Sequence, residues 1–514
     1  MSTTPIAPAG RTEDTSTLVN RLWSYCELLR HSGVSTLDYV EQLTYLLFLK
    51  MADERDRRPA LFQQSKKAGP SERLVPEGKD WQSLLSMSAE PLVDHYERIL
   101  RDLGSRPGTM LGEVFLKAQN KIHDPAVLER LVKDLINPYS WNRAEIDLKG
   151  DAYEGLLQRG AEDRKTGAGQ YFTPRPLIDA MIDCVEPQLG ERITDPACGT
   201  GGFLIAAYAH LVKRFGDELY SDAGRKLQTG AITGYELVRE TARLALMNML
   251  LHGIGSSEGR PLIEVQDSLA KPPKRFYDIV LANPPFGVGS VTGEAYTART
   301  DFWAQSTNKQ LNFLQHIYNL LDTNGRAAVV LPDNVLFEGG AGAEIRRKLL
   351  ETCNVHTLLR LPTGIFYANG VKANVLFFDR APARSSARPG TEQLWVYDFR
   401  TDQRFTLKQR PLRREHLDDF VRCYHSGQGK HSNRTPTDRF RAYSYEELIS
   451  RDKVNLDLTV LQSSASTSSA LAAPDVIAQE IVEDLEAALA EFAAVAQALK
   501  AGQRSGADPA KQDA

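Results

Sequence analysis

RITDPACGTGGFLIAAYAHLV, residues 192–212, contains the fold in miniature. Ile193 and Thr194 read as the end of a short buried strand, Gly199 to Gly202 as a glycine turn, and Phe203 to Val212 as a helix. The glycines let the backbone turn sharply and approach a ligand closely. The start of the helix adds positive potential and N–H groups, which attract a carboxylate as well as a phosphate. No Gly-Lys-Ser/Thr follows, so the turn is not a P-loop, and the dinucleotide spacing G-x-G-x-x-G is absent. Taken alone, the motif is also compatible with a glycine turn that binds nothing.

Outward from this unit, strand and helix patterns alternate. AITGYELVRETARLALMNMLLHG (231–253) reads strand then helix, and YDIVLANPPF (277–286) reads as a strand and its end. RAAVVLPDNVLF (326–337) is a further strand, followed by the helix AEIRRKLLE, and HTLLRLP and ANVLFFDR are two more strands. This alternation predicts an α/β fold with a doubly wound, mostly parallel sheet. Upstream, residues 15 to about 145 read as helical. There STLDYVEQLTYLLFLKMADE starts at Ser35 or Thr36 as N-cap and spaces Tyr39, Leu43, Leu46, Leu47 and Met51 along one face. The loop KKAGPSERLVPEGKD interrupts this helical region.

With 514 residues the chain is too long for one core and predicts about three domains. No apolar run reaches the ~18 residues of a membrane span, and MSTTPIAPAG lacks the charged and apolar parts of a signal peptide. Cys26, Cys184, Cys198, Cys353 and Cys423 are scattered and without a C-x-x-C, which points to reduced thiols in the cytoplasm and no zinc site. The ten histidines have no metal-ligand spacing either. A net charge of -4 gives no overall pull towards nucleic acid, so any such contact needs a local patch. Arg404 to Arg441 holds ten Lys/Arg against four acids, a candidate phosphate-binding stretch or a solvated charged surface. SSASTSSALAA is a low-complexity linker. After it, Ala478, Ile481, Leu485, Ala488, Phe492, Val495 and Leu499 form a heptad seam suited to a partner's helices or to packing on the chain itself.

Two further features bear on chemistry. Glu236 ends the strand in GYE, where an acid typically holds both hydroxyls of an adenosine ribose. In YDIVLANPPF, Pro284 and Pro285 end the strand ladder, since neither has an N–H to give, and so fix the backbone where open sheets bind ligands. The Asn283 amide oxygen and the Pro284 carbonyl can converge on one NH2 group and draw its lone pair towards sp3 geometry. Phe286 can stack on the ring that carries the amine, worth about 1–3 kcal/mol by analogy with base–aromatic stacking.

DPACGTGGFL together with ANPPF resembles the cofactor and catalytic motifs of S-adenosylmethionine-dependent amino-group DNA methyltransferases, and the order of motifs is similar to that of the N6-adenine type. GQYFTPRPLIDAMID resembles the family's additional cofactor segment. With GDAYEGLLQRGAEDRKTGAGQYFTP, the helical N-terminal region and LPTGIFYANGVKANVLFF, residues 15 to about 460 resemble the modification subunit of type I restriction–modification systems. The resemblance implies a Rossmann-like methyltransferase sheet preceded by an all-helical domain and followed by a helical tail. It implies that Tyr171, Phe172, Thr173 and Pro174 line the methionine end of the cofactor. Asp195, Ala197, Gly199 and Gly201, with Thr200 and Gly202 completing the loop, would hold its amino-acid portion, Glu236 the ribose, and Asp267 in VQDSL the adenine amino group. Asn283, Pro284, Pro285 and Phe286 would act on a target adenine flipped out of double-stranded DNA. Ala282 stands where serine, aspartate or glycine is more familiar. Cys198 is expected to pack rather than react.

The expected divisions are a helical domain at 1–147, the catalytic domain at 148–382, a basic extension at 383–462, a linker at 463–473, a partner-binding helix at 474–500 and a disordered tail at 501–514. No Walker motif or nuclease cluster is present, so the resemblance implies a separate restriction/translocase subunit, and two copies of this chain around one specificity subunit. The alternatives are a stand-alone adenine methyltransferase with recognition in 385–460, a protein glutamine N5-methyltransferase, which shares the NPP-plus-aromatic motif, and a non-catalytic assembly subunit.

Overall fold

The computed structural model describes residues 36–57, 73–141, 173–216, 227–287, 299–366, 371–381, 389–400, 405–406, 410–426 and 434–460, with single positions at 218, 221 and 224. The N-terminal part is helical, with α1 (Thr36–Arg57), α2 (Trp81–Leu85), α3 (Ala89–Gly104), α4 (Met110–Val114) and α5 (Pro125–Glu129), the last continued by a π-helical stretch, Arg130–Ile136. Tyr39, Leu43, Leu46, Leu47 and Met51 are fully buried, but so are Tyr45, Phe48 and Leu49, so α1 is a central helix enclosed on all sides. α3 is one-sided, burying Leu92, Val93, Tyr96, Ile99, Leu100 and Leu103 at helical spacing. The side chains of Asp80, Thr109 and Asp124 cap α2, α4 and α5 by accepting backbone N–H bonds that the helices cannot satisfy themselves.

The rest is built on one nine-stranded sheet of order β3-β2-β1-β4-β5-β7-β6-β8-β9. Its strands are β1 (Ile193–Asp195), β2 (Ile232–Glu236), β3 (Ile263–Val265), β4 (Tyr277–Ala282), β5 (Leu321–Pro332), β6 (Cys353–Arg360), β7 (Ala373–Arg380), β8 (Gln393–Asp398) and β9 (Phe440–Ser444). Strands β1 to β5 pair in parallel. β7 enters antiparallel between β5 and β6, and β8 returns to the parallel sense beside β6 before β9 closes the edge antiparallel.

Side chains alternate between two cores, as a sheet covered on both faces requires. Ile279, Leu281, Val330 and Val375 enter one core, with α6 (Arg175–Val185), α7 (Gly202–Phe215), α8 (Arg239–Leu251) and the N-terminal helices. Val280, Ala282, Val329 and Leu376 enter the other, with α9 (Lys309–Leu320), α10 (Asp333–Phe337) and α11 (Ala341–Thr352). The N-terminal helices dock on α8, where the Arg243 guanidinium meets the Glu41 carboxylate and lies over the Tyr45 ring, and Arg55 donates to the Leu250 carbonyl.

β8 and β9 were not expected, because the sequence beyond about 382 shows weak periodicity. They extend the catalytic sheet itself. In the same region Arg414 pairs with Asp183, Arg422 with Asp419, and buried Arg434 donates to Thr357. Arg434 is therefore engaged inside the fold and half-buried Arg414 is tied to α6, while Arg422 stays at the surface in a local pair on its own helix. After α12 (Asp418–Tyr424) and α13 (Tyr445–Ser450), the chain runs as an extended strap that buries Val454, Leu456, Leu458 and Val460. Arg346, itself buried, donates to the carbonyls of Val335, Glu338, Lys453 and Val454 and so ties the strap to α10. Arg360 ties it to the end of β6 through Asp457 and the Leu458 carbonyl. The linker, the heptad helix and the tail expected from 463 onward lie outside the described residues, as do Tyr171 and Phe172.

Gly364, in the loop between β6 and β7, has φ +80, and a Cβ there would lie 2.0 Å from the Phe405 carbonyl oxygen. Both the left-handed backbone and the contact exclude a side chain. Gly364→Ala should therefore lose about 2 kcal/mol or more of stability, read as a lower urea midpoint. An unchanged midpoint would refute this account of the loop.

Candidate active site

β1 and β4 lie side by side and parallel, but the helices that follow them, α7 and α9, cover opposite faces of the sheet. The chain ends leaving these two strands must diverge, which opens a crevice at the carboxyl edge. Along that edge the strand order 3-2-1-4 places Asp267, Glu236, Asp195 and Asn283 in succession. Residues spread over 89 positions of sequence (283 − 195 + 1) thus share one rim.

The glycine turn is held from every side. Asp195, 1% exposed at the end of β1, accepts the Ala197 N–H at 2.9 Å. Glu236 accepts the Gly199 N–H at 3.1 Å with one oxygen and the Val238 N–H at 2.9 Å with the other. Asn248 of α8 donates to the Thr200 carbonyl at 3.1 Å, and Arg175 of α6 donates to the Gly202 carbonyl at 3.3 Å. Gly199 and Gly201 have φ +55 and +86, and a Cβ on Gly199 would meet nothing within 4 Å. The turn thus has open space at a left-handed glycine beside two carboxylates, a setting that can take a cationic group or hydroxyl donors. Burial, reinforced by the neighbouring Glu236, raises the Asp195 carboxyl to about 8, and burial raises Glu236 also. Cys198 is buried and its thiol is pushed well up, so it packs and does not react.

At the end of β4, Asn283 is 6% exposed, and its side-chain nitrogen donates to the Thr173 hydroxyl at 2.9 Å. In this orientation the nitrogen lies on the Thr173 side, the arrangement needed if the amide is to present its oxygen to an amine. Pro284 is buried, while Pro285 and Phe286 are half-buried. Gly287 then accepts the Lys309 N–H at 3.3 Å, which seats the end of the motif on the start of α9. Ala282 points into the opposite core, away from Asn283, so its identity does not touch the crevice. Asp267 accepts the Leu269 N–H at 2.9 Å, and the next residue, Ser268, donates to the Pro196 carbonyl at 2.6 Å.

The structure adds residues that the motifs alone did not indicate. Leu237 and Val238, just past Glu236, are 63% and 48% exposed, and Val265, the register partner of Glu236, is also exposed. They form an apolar lip suited to a flat ring, and two apolar residues directly after a strand-end acid were the available signal. Thr173, expected only to line a cofactor, also orients Asn283 from 110 positions away. Nothing in local sequence announces that contact.

The sequence profile of the N-6 DNA Methylase family matches residues 144–468, and that of the HsdM N-terminal domain matches residues 18–135. The chain is similar to the type I restriction enzyme StySJI methylase subunit of Salmonella typhimurium, 38% identical over 95% of this chain and 96% of that one. It is equally similar, at 38% identity over the same shares, to the EcoKI methylase subunit of Escherichia coli. Among solved structures, it resembles the EcoKI M protein with 34% identity, a TM-score of 0.52 and coverage of 97% of this chain and 98% of that one. It also resembles a chain solved in work on complex assembly of the type I R-M system, at 27% identity, a TM-score of 0.64 and coverage of 95% and 99%.

A carboxyl held near 8 in the fold but near 4 when unfolded binds an extra proton in the native state across that window. Its favourable share in stability is therefore present at low pH and is lost as pH rises from about 4 to about 8. Asp195→Asn should raise the melting temperature of the ligand-free protein, with a gain that grows between pH 5 and pH 8 and then levels. A gain independent of pH would show that the Asp195 carboxyl is not perturbed in this way.

Proposed function

This chain belongs to the N-6 DNA methylases, among the methylase subunits of type I restriction enzymes, and from that membership we propose that its crevice binds S-adenosylmethionine beside a flipped adenine. Its reaction is methyl transfer to N6 of adenine in DNA, as the modification subunit. Bound S-adenosylmethionine supplies a sulfonium methyl as the electrophile. In this reading Asp195, Ala197, Gly199, Thr200, Gly201 and Gly202 hold its amino-acid portion, Glu236 its ribose and Asp267 its adenine, with Leu237 and Val238 against the ring. Thr173 and Pro174, with Tyr171 and Phe172, border the methionine end.

Asn283 carries the reading: it is buried at the switch between strand orders, with its amide nitrogen committed to Thr173. Its oxygen and the Pro284 carbonyl accept the two N–H groups of the target amine and favour the pyramidal nitrogen that attacks. Pro285 holds the backbone rigid, and Phe286 stacks on the base. Stacking offsets part of the few kcal/mol needed to extrude the base from the duplex. Positioning of the amine supplies most of the acceleration. Two copies of the chain assemble around a specificity subunit that reads the sequence. A restriction/translocase subunit completes the system in the cytoplasm, and the methyl mark protects host DNA. Among the described residues no helix is long and apolar enough to cross a membrane.

The test is methyl transfer from labelled S-adenosylmethionine to DNA lacking methyladenine, with the chain alone and with its specificity subunit. Activity is expected only with the partner, and Asn283→Ala should lower kcat about a hundredfold or more. Sequence-specific transfer by the chain alone would overturn the partner assignment, and full activity of Asn283→Ala would overturn the site. Thr173→Val should lower kcat about tenfold, the worth of one oriented hydrogen bond. If instead KM for the cofactor rises and kcat holds, Thr173 lines the cofactor and does not orient the amide.

A further inference from the structure

Residues 299–308 lead into α9, and they begin with an arginine that methyl transfer itself does not require. Arg299 is 1% exposed. Its Nε and Nη2 donate to the two oxygens of Asp301, each at 2.7 Å, a bidentate pairing. Nη1 donates to the Leu269 carbonyl at 3.0 Å, and Nη2 lies 3.4 Å from Nδ1 of His316 in α9. The guanidinium sits over the Phe302 ring, 4.0 Å from its centre. Asp301 is fixed in turn by Asn319 of α9 at 2.7 Å. Burial beside Arg299 holds His316 down at about 3, so it is a neutral imidazole that accepts from Arg299 without adding a second positive charge.

From this cluster a hydrogen bond reaches the turn following β3. Asp267 accepts the Leu269 N–H, Ser268 reaches the Pro196 carbonyl of the glycine turn and the Gln266 N–H donates to the Glu236 carbonyl at 3.0 Å, so these bonds hold the turn from the sheet side and the Leu269 carbonyl adds a hold from the α9 side. Leu269, Phe302 and Phe313 also form a small apolar cluster of their own, with Ala197 packed against it. The glycine turn, the Asp267 turn and the segment leading into α9 therefore meet at one point, where Ser268 ties the first two to each other and Arg299 ties the Asp267 turn to the segment leading into α9.

We propose that Arg299 is a positioning residue for the cofactor: seated on α9 by Asp301 and His316, it fixes the Asp267–Leu269 turn so that Asp267 can meet the adenine end. The proposal rests on the assignment of Asp267 to the cofactor. Because α9 also holds Gly287 through Lys309, one helix sets both the end of the catalytic motif and the adenine-side turn. Lysine cannot replace the arginine here, since an ammonium cannot span the Asp301 carboxylate and the Leu269 carbonyl with fixed planar geometry.

The experiment measures KM for S-adenosylmethionine and kcat in the complete complex with the specificity subunit, for Arg299→Lys, Asp301→Asn and Asp267→Ala. Arg299→Lys should raise KM about tenfold with kcat at saturating cofactor within about twofold of the parent, the split expected when only ground-state positioning is lost. Asp301→Asn keeps the shape, remains available if Arg299→Lys does not fold, and should give a smaller rise in KM. A normal KM in a folded Arg299→Lys beside a raised KM in Asp267→Ala would overturn the proposal alone. A normal KM in Asp267→Ala would overturn the assignment of that turn to the cofactor and this proposal with it. If Arg299→Lys does not fold, a normal KM in Asp301→Asn overturns the proposal.

Discussion

The arrangement rests on the parallel pairing of β1 with β4. Parallel neighbours cannot be joined by a tight turn, so each must leave the sheet, cross a face and return. When two adjacent strands send their crossovers to opposite faces, nothing in the chain can close the gap between their ends. The glycine turn and the two prolines stand on the two sides of that gap. Each local motif is ordinary by comparison, and the strand order gives them a common target.

Keeping the gap open has an energetic side. Two carboxyl groups, buried Asp195 and half-buried Glu236, lie on one glycine turn with mostly backbone N–H groups to satisfy them. Without ligand this is a strained electrostatic arrangement, and both groups resist ionisation. Such strain is characteristic of functional sites, and a cationic ligand of the kind proposed would relieve it on binding. The surrounding contacts from Asn248, Arg175 and Ser268 all end on backbone carbonyls of the turn, so they fix its shape without neutralising its charge.

Much of this was legible in the sequence, for a definable reason. Glycines and tandem prolines override ordinary propensity, so Gly199, Gly201, Pro284 and Pro285 identify themselves without any neighbour being known. Strand-end acids such as Glu236 become legible once those landmarks are set. The buried arginines were not legible. Arg299, Arg346, Arg360 and Arg434 look like any surface charge in sequence, and their burial depends on carbonyls and carboxylates brought in by folding. The same holds for β8 and β9. β8 finds its place between β6 and β9, each across a long intervening stretch, and a strand whose pattern depends on distant partners carries little local signal. Counting charge between Arg404 and Arg441 suggested a basic surface, whereas Arg434 is buried and Arg414 is tied to Asp183 of α6.

The strap from Val454 to Val460 has a mechanical consequence. Its apolar residues are sunk in the core behind the sheet, and Arg346 and Arg360 pin it at two points. A tension applied from beyond residue 460 would find no slack to take up. It would load Arg360 first, through Asp457 and Leu458, then Arg346 and α10, which stands at the end of β5 next to the strand that ends in Asn283. The strap is therefore a short tendon with its insertion beside the catalytic rim, and the direction of pull, rather than its strength alone, decides which strand end would feel it.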